Sequence, residues 1–410
     1  MNNWAFNWVQ ILAHNKKALS WRLGLIWLVL SYGLLDFAWT SVTPIIAALL
    51  LATVLMSLVL GWMADSYKTA ALQFALSWLI LWGIFAALGW LGLALNEQGL
   101  LALLVVVTMF SANLIHLLST VLREMARGLY QFDAVAEALK LNFTPIFLSN
   151  LTTSLGFVFA AWLHPDFSQM AWIVTLGALL SLILSISLFP LILLTFFLEF
   201  RVGNSRDRNA FRGWIEWLKQ HRYLRKYLLG FSLLLTAVLG WYYQNVLLNA
   251  QLLTMLGLFA ALFMLYWRSI KMVLFTLWLT LLAWLLGIAL QSFLMALWPT
   301  FWGLGFDAEW LPVLLMLSLG VIIDDVVHFF SRYQRAQLTM FAKGFDAVAF
   351  AMASVARPIW MSSWLLLVAM LVLLSAQSAL VVAAAALLMM AIIIVTIMVL
   401  VWLPLLLVGD

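Results

Sequence analysis

The sequence contains no cysteine and very little charge. Asp, Glu, Lys and Arg make up 9% of its 410 residues, and Cys is absent. The absence of cysteine excludes disulfides, thiolate zinc sites, iron–sulfur clusters and a cysteine nucleophile. The scarcity of charge, beside 66% hydrophobic residues and 23 Trp, excludes a water-soluble domain, because such a domain could not bury so much apolar surface. The chain is therefore read as a polytopic integral membrane protein.

Apolar runs between charged residues, prolines and glycines predict twelve transmembrane helices. A hydrocarbon core about 30 Å thick needs roughly 20 apolar residues per helix. The first six spans are predicted at 21–37, 43–64, 70–95, 99–122, 144–164 and 170–199. The second six are predicted at 226–246, 249–267, 271–297, 310–332, 357–376 and 378–407. The domain prediction is an interfacial helix in 1–20, a first repeat at 21–199, a basic cytoplasmic connector at 200–225 and a second repeat at 226–407.

Basic residues fall on one side of this topology. With the N-terminus in the cytoplasm, the external loops contain no Lys or Arg, and their ionisable residues are Asp36, Glu97, Asp166, Asp307 and Glu309. This positive-inside pattern predicts that both termini are cytoplasmic and that the chain lies in a bacterial inner membrane. The cytoplasmic segments, which hold the Lys and Arg residues, account for the net charge of +5, so no nucleic-acid partner is predicted.

Four further segments have an amphipathic pattern. Residues 3–17 and 211–225 combine aromatic side chains with a basic end, which favours a helix in the cytoplasmic headgroup layer. A solvated leader before a span is the alternative. Residues 123–143 and 335–356 predict surface helices, so that Pro145 and Pro358 stand just inside the starts of spans 5 and 11.

The two halves of the sequence repeat each other. The run 132–138 matches 345–351 at an offset of 213, and Trp8 matches Trp214 at an offset of 206. The other matched residues are Pro145 with Pro358, Ser149 with Ser362, His116 with His328, Ser119 with Ser331, and Arg123 with Arg335. Extra residues in the loop 292–307 are the simplest explanation of the drifting offset. Six spans per half give both halves one orientation, which predicts two parallel repeats, a transporter architecture.

Predicted span 10 contains ionisable residues at membrane depth, where a functional site is the default hypothesis. Asp324 follows Trp310 by 14 residues, which is roughly 20 Å along a helix. His328 lies three and four residues after Asp325 and Asp324, so it can approach either carboxylate on one helical face. Two adjacent carboxylates at low dielectric are not both expected to stay ionised, so the cluster can take up and release protons. The alternatives are an Asp–His pair that only fixes packing, and a metal site, for which the ligand spacing is poor.

Span 4 lacks the carboxylates of span 10. Ala112 and Asn113 stand where span 10 has Asp324 and Asp325, while His116 is retained. If spans 4 and 10 face each other, Asn113 and His116 are expected to hydrogen-bond the acidic pair, with interhelical polar contacts as the alternative. The supporting polar lining is predicted to comprise Ser111, Ser149, Asn150, Ser331, Ser362 and Ser363, each of which has helix packing as its alternative role.

The segment 320–333 resembles the span-10 motif of the RND superfamily, especially its MMPL-like predicted exporters. The family pattern is Gly-x-x-x-Asp-(Asp/Tyr)-x-x-His-x-x-x-Arg-Tyr, matched here by Gly320, Asp324, Asp325, His328, Arg332 and Tyr333. The segments 357–359 and 362–363 and Ala349 are also similar to that family. The resemblance implies a proton-driven transporter whose proton site includes Asp324, Asp325 and His328. In span 4 only His116 matches.

The chain departs from that family in two loops. RND proteins insert large periplasmic porter domains between spans 1 and 2 and between spans 7 and 8. Here these connections are residues 38–42 and 244–249, which are too short for a domain. The resemblance therefore implies a membrane core without porter domains.

Two functions follow as hypotheses. The first is a proton-coupled exporter of a lipid or other hydrophobic molecule, and the second is a non-transporting or energising subunit that binds lipid and works with a separate periplasmic protein. An enzyme is not predicted, because the cluster comes with no metal-ligand set, nucleophile elbow or phosphate loop. No cofactor is expected. The expected partners are membrane lipids or a hydrophobic small molecule, a periplasmic protein and further copies of the chain.

Overall fold

The fold consists of helices that are long enough to span a membrane. The structure is a computed structural model that describes residues 4–37, 39, 42–195, 211–297 and 310–408, and within these ranges it contains helices and no strand. In these ranges twelve helical segments are long and apolar enough to cross a membrane. They are numbered spans 1 to 12: Lys16–Leu35, Pro44–Ala64, Tyr67–Trp90, Gln98–Ala126, Gln131–Leu163, Pro165–Thr195, Arg222–Tyr242, Ala250–Trp267, Ile270–Leu294, Leu311–Thr339, Gly344–Leu373 and Ala379–Leu407. The all-α, twelve-span prediction is confirmed, and the orientation of the termini stays a prediction.

Short helices accompany the spans. Trp4–His14 precedes span 1, Arg212–Gln220 precedes span 7, and the single turn Gln244–Leu247 joins spans 7 and 8. The first two confirm helix within the predicted segments 3–17 and 211–225, while their position at the headgroup layer stays a prediction. Residues 200–210 of the predicted connector, residues 298–307 of the loop 292–307, and Glu309 lie outside the described residues.

The predicted surface helices at 123–143 and 335–356 are wrong. Spans 5 and 11 are single helices that begin at Gln131 and Gly344 and run through their prolines. Pro145 and Pro358 each stand fourteen residues after the first residue of the helix, so they mark interior positions rather than helix starts. A proline is tolerated inside a membrane helix because neighbouring groups can satisfy the carbonyl that it leaves without a backbone donor. Each amphipathic segment therefore comprises the end of span 4 or 10, a short turn, and the first turns of span 5 or 11.

The backbone repeats between the two halves, as the sequence predicted. Besides the prolines of spans 5 and 11, Asp65 and Arg268 each have φ of 51° and each lies in the tight turn between two spans. A non-glycine residue in this left-handed region is uncommon. The same unusual turn therefore joins spans 2 and 3 and spans 8 and 9, at an offset of 203 residues. Because this offset is smaller than the 206 between Trp8 and Trp214, extra residues in one loop do not account for the whole drift.

The described residues form two compact units. Unit 1 comprises those within Met1–Asn150, Gln169–Arg208 and Trp364–Leu373, and unit 2 those within Leu151–Ser168, Asn209–Ser363 and Leu374–Asp410. In unit 1, span 3 packs against spans 1, 2 and 4. In unit 2, span 10 packs against spans 8, 9 and 12, and span 12 also packs against span 9. Span 10 is thus surrounded by apolar helices of its own unit. The predicted domain boundaries stay a prediction.

Candidate functional site

Spans 4 and 10 are the most buried of the twelve. An apolar 18-residue stretch of span 4 is 100% buried and one of span 10 is 89% buried, whereas the comparable stretches of spans 1 and 7 are 6% buried. Polar side chains on spans 4 and 10 therefore lie inside the protein and away from lipid. Each of these polar groups has to find its partners within the protein.

The acidic cluster lies in unit 2, on span 10. His328 Nε2 is 3.6 Å from Asp324 Oδ1, and the two residues are one helical turn apart. Asp324, Asp325 and His328 are 9%, 7% and 1% exposed. The structure confirms that His328 approaches Asp324, while Asp325 projects about 100° further around the helix axis. A buried carboxylate beside a buried imidazole can exchange a proton with it.

Spans 5 and 10 cross closely about one helical turn before this cluster. Gly320 lies one turn before Asp324, and a Cβ atom on Gly320 would lie 2.5 Å from the Thr153 Cα. On the other helix, a Cβ atom on Gly156 would lie 2.5 Å from the Met316 carbonyl oxygen. Spans 5 and 10 thus approach each other through a glycine from each, the small-residue packing typical of membrane helices. Gly320 belongs to the sequence motif, but nothing in the sequence indicated that it contacts Thr153 or that Gly156 contacts Met316.

Two hydrogen bonds, one to span 8 and one to span 9, fix the orientation of span 10 about its helix axis. Trp284 Nε1 donates to Ser318 Oγ at 3.0 Å, and the Tyr266 hydroxyl lies 3.3 Å from Ser331 Oγ. Ser331 was predicted to line the acidic site. Its hydroxyl contacts span 8 and the Val327 carbonyl of its own helix, so it positions span 10. Neither aromatic partner was identified from the sequence.

Spans 11 and 12 are joined by a hydroxyl contact. The Thr396 hydroxyl lies 2.7 Å from Ser363 Oγ, and both residues are buried. The hydroxyls of Ser362 and Ser363 donate to the Ile359 carbonyl at 3.0 and 2.8 Å. Ser362 thus bonds to its own helix backbone, whereas Ser363 also has a partner on another span. Thr396 is a functional candidate that sequence reasoning missed, because a threonine in an apolar run resembles an ordinary packing residue.

Unit 1 has an amide network where unit 2 has the acidic pair. Asn113 Nδ2 donates to Asn150 Oδ1 at 3.1 Å and to Ser181 Oγ at 2.8 Å. Asn150 Nδ2 donates in turn to the Ala178 carbonyl at 3.1 Å. Both amide hydrogens of Asn113 are thus used within unit 1. Donation from Asn113 to the acidic pair stays a prediction.

The other predicted residues of unit 1 are buried beside this network. His116 and Ser149 are 1% and 2% exposed. Ser111 hydrogen-bonds Gln73 of span 3, whose Nε2 also donates to Ser77 Oγ at 3.0 Å. Gln73 was not identified from the sequence, where it is a single amide in an apolar span.

Spans 4 and 10 each carry a buried arginine after their polar residues. Arg332 stands one turn after His328 and is 2% exposed. In span 4, Arg123 donates to the neighbouring carboxylate of Glu124 at 2.9 Å, and both side chains are about one-tenth exposed. Across the described part of the chain, no group of three His, Asp or Glu residues is arranged to hold a metal ion.

Comparisons with other proteins identify the fold. No protein-family model and no curated protein sequence matches the chain. Three solved structures match with a TM-score of 0.60: SecDF in its super-membrane-facing form at 13% identity, SecDF of Thermus thermophilus, described as a translocon-associated membrane protein, at 16%, and the hedgehog release protein Disp of the water bear Hypsibius dujardini at 9%. They are matched over 91%, 90% and 90% of this chain. The chain spans 62% of each SecDF chain and 71% of Disp. It therefore has the RND-like membrane fold that these proteins share.

Proposed function

We propose that this protein is a proton-coupled transporter that exports a lipid or another hydrophobic molecule across a bacterial inner membrane. The observation that carries the proposal is the contact between Asp324 and His328, with Asp325 adjacent, inside span 10. Ionisable groups inside hydrocarbon are costly, and they persist where they move ions or protons. Asp324, Asp325 and His328 form the protonatable site.

The repeat supports a specific role for Asp325. Its counterpart is Asn113, which bonds Asn150 of span 5 and Ser181 of span 6. On spans 11 and 12, the corresponding polar contact joins Ser363 to Thr396. Asp325 thus aligns with a residue that in the other half is a neutral amide bonded to spans 5 and 6. Span 10 therefore has an ionisable residue, Asp325, at the position where span 4 has the neutral Asn113.

Short connections between spans favour a hydrophobic substrate. Span 7 ends at Tyr242 and span 8 begins at Ala250, and span 1 ends at Leu35 while span 2 begins at Pro44. Neither connection has room for a porter domain that could collect a polar substrate from water. A hydrophobic molecule can instead enter laterally from the bilayer. We accordingly assign this chain to a branch similar to the MMPL-like exporters, without periplasmic porter domains.

Proton entry into proteoliposomes tests the site. Purified protein is reconstituted around a pH-sensitive dye, and an inward proton gradient is imposed with the membrane potential clamped. Asp325→Asn is expected to fold, because Asn is the residue at the equivalent position of span 4, and to lower proton entry to that of protein-free liposomes. His328→Gln and Asp324→Asn are expected to act in the same direction.

A matched control uses an exposed carboxylate at the very start of a span. Asp166 is exposed in the first turn of span 6, so Asp166→Asn should leave proton entry unchanged. Proton entry at the wild-type rate in folded Asp325→Asn would exclude the proposed site.

A second function has a specific observation in its favour. SecDF is described as a translocon-associated membrane protein, so this fold occurs in a protein that associates with a separate complex, the translocon. The alternative is that this chain converts proton flow into motion of a separate periplasmic protein. Movement of a fluorescent phosphatidylethanolamine across the same proteoliposomes separates the two functions. Lipid movement that needs both Asp325 and a proton gradient supports the transporter, whereas proton entry without lipid movement supports the energising subunit.

A further inference from the structure

Spans 6 and 12 each contain a proline near the cytoplasmic end of the predicted topology. Pro190 and Pro404 have no N–H, so the carbonyls four residues earlier, Ile186 and Leu400, lose their usual helical donors. The helix yields at both places. In span 6, Ser168–Ile186 ends and Leu188–Thr195 begins, and in span 12 the backbone widens into the π-helical turn Met398–Trp402.

A tryptophan from a short helix binds each of these two carbonyls. Trp8 Nε1 donates to the Ile186 carbonyl at 2.8 Å, and Trp214 Nε1 donates to the Leu400 carbonyl at 2.9 Å. Trp8 lies on the helix Trp4–His14 and Trp214 on the helix Arg212–Gln220. An indole can only donate, and a carbonyl beside a proline is an acceptor with spare capacity. The pairing is therefore chemically matched in both units.

The two pairs are equivalent in the repeat. The tryptophans differ by 206 positions, and both the carbonyls and the prolines differ by 214. Donor, acceptor and proline thus recur in the same order in each half. Other contacts near each short helix differ, since Lys16 Nζ, on the first residue of span 1, donates to the Leu194 carbonyl at 2.7 Å in unit 1, while Lys219 of the second short helix lies over the Phe345 ring in unit 2. The tryptophan contact is the feature that the halves share.

Each of these contacts lies about one helical turn from a buried polar contact that joins two spans of the same unit. Leu400 follows Thr396, whose hydroxyl contacts Ser363, by four residues. Ile186 follows Ser181, which accepts from Asn113, by five residues. A bend at either proline would move these polar residues and the attached short helix together.

We propose that Trp8 and Trp214 are positioning residues that latch each short helix to the proline hinge of spans 6 and 12. Each latch makes its short helix follow the hinge of its own unit. The inference goes beyond the proposed function and does not depend on proton coupling. It assigns two of the 23 tryptophans a task other than anchoring the chain in the headgroup layer.

Hydrogen–deuterium exchange of the full chain in lipid nanodiscs tests the latches. Trp8→Phe keeps an aromatic ring and removes the donor, so exchange in 4–14 is expected to rise by about threefold to tenfold, the range of one hydrogen bond. Trp214→Phe should have the same effect in 212–220 only. Trp4→Phe is the control, because the Trp4 ring packs on Phe143 at 5.1 Å. Equal effects of Trp4→Phe and Trp8→Phe on 4–14 would overturn the proposal.

Restoring the missing backbone donor gives a second test. Pro190→Ala supplies an N–H for the Ile186 carbonyl, which should release Trp8 and raise exchange in 4–14. Trp8→Phe should then add nothing in the Pro190→Ala background, and Pro404→Ala should behave in the same way with Trp214→Phe. Fully additive effects of Trp8→Phe and Pro190→Ala would show that the indole and the proline act separately, and would overturn the latch.

A spectroscopic readout separates this inference from the proposed function. With 5-fluorotryptophan, the signals of Trp8 and Trp214 are assigned by the two Phe variants and followed in the Pro190→Ala and Pro404→Ala backgrounds. Each latch signal is expected to shift in its own proline variant, and an unshifted signal would overturn that latch. A shift of the Trp214 signal with pH in the wild type but not in Asp325→Asn would additionally link the latch to the proton site. Failure of this link alone would count against the proton coupling and leave the latch standing.

Discussion

At the scale of single residues, the two halves differ most at two adjacent positions, where span 4 has Ala112 and Asn113 and span 10 has Asp324 and Asp325. Helical spacing alone placed His328 beside a carboxylate, and the structure selects Asp324 at 3.6 Å. The partner of Ser331 was not predictable, because the rotation of span 10 is set by Tyr266 and Trp284, which are distant in sequence. Local periodicity fixes which residues share a helical face, whereas tertiary packing decides what that face contacts.

Asn113 provides a test of the neutral half. Asn113→Asp keeps the shape of the side chain but removes the two donors that reach Asn150 and Ser181. A charged oxygen would replace the amide group in a buried position. We expect a loss of about 2 kcal/mol in stability, read from thermal unfolding in detergent. Thr108→Val is a control on the same helix, since the Thr108 hydroxyl donates to the Val105 carbonyl of its own helix, and equal stability of Asn113→Asp and wild type would contradict the amide network.

Gly320 tests the helix crossing beside the acidic pair. In Gly320→Ala, the added Cβ would lie 2.5 Å from the Thr153 Cα, and a backbone cannot yield as a flexible side chain can. We expect a loss of about 1–3 kcal/mol, the usual cost of overpacking, and reduced proton entry as Asp324 is displaced. Gly287→Ala in span 9 is the matched control, since its Cβ would meet only Leu387 Cδ1 at 3.7 Å. Thermal unfolding of both variants decides, and equal melting temperatures would refute the close crossing.

At the scale of elements, the spans were predictable and some of their ends were not. Apolar run length located all twelve, because bilayer thickness sets it. Spans 5 and 11 begin earlier than predicted, because a proline normally indicates the first turn of a helix, whereas Pro145 and Pro358 lie inside theirs. Inside a membrane protein, neighbouring helices offset the lost backbone hydrogen bond, and such compensation leaves no local trace in the sequence.

A double-mutant cycle tests the hydrogen bond between Trp284 of span 9 and Ser318 of span 10. Trp284 is fully buried, and its indole donates to Ser318 Oγ at 3.0 Å. Trp284→Phe and Ser318→Ala should each lower stability, and the double variant should lose less than the sum by about 1 kcal/mol, the net value of the shared hydrogen bond. Chemical denaturation of the four proteins in mixed micelles measures this coupling. A coupling of zero would mean that the hydrogen bond does not hold the two spans together.

At the scale of the whole molecule, the fold persists where sequence identity does not. The chain matches SecDF at 13% identity over 91% of its length. Lipid-facing positions only have to be apolar, so many residue types fit there, whereas glycines, prolines and buried polar residues at helix contacts are constrained by packing and hydrogen bonding. Those few positions, among them Pro145 with Pro358 and His116 with His328, revealed the repeat in the sequence. The turn residues Asp65 and Arg268 were invisible there, because the left-handed conformation is shared while the residue type is not.

Membrane orientation follows from charge and is directly testable, because the chain has no cysteine of its own. Single cysteines are introduced at four exposed positions. Glu97 and Asp166 lie at an end of the predicted spans where the connections have no Lys or Arg, whereas Tyr130 and Lys343 lie in connections next to basic residues. Since cytoplasmic loops retain Lys and Arg, a membrane-impermeant maleimide added to intact spheroplasts should label Glu97→Cys and Asp166→Cys only. Lysis should then allow labelling of Tyr130→Cys and Lys343→Cys, which controls for reactivity. Labelling of Lys343→Cys in intact cells would show that the topology is the reverse of the predicted one. The half of span 10 that carries Arg332 would then face the outer side, and proton entry through Asp324 would have to run in the opposite direction.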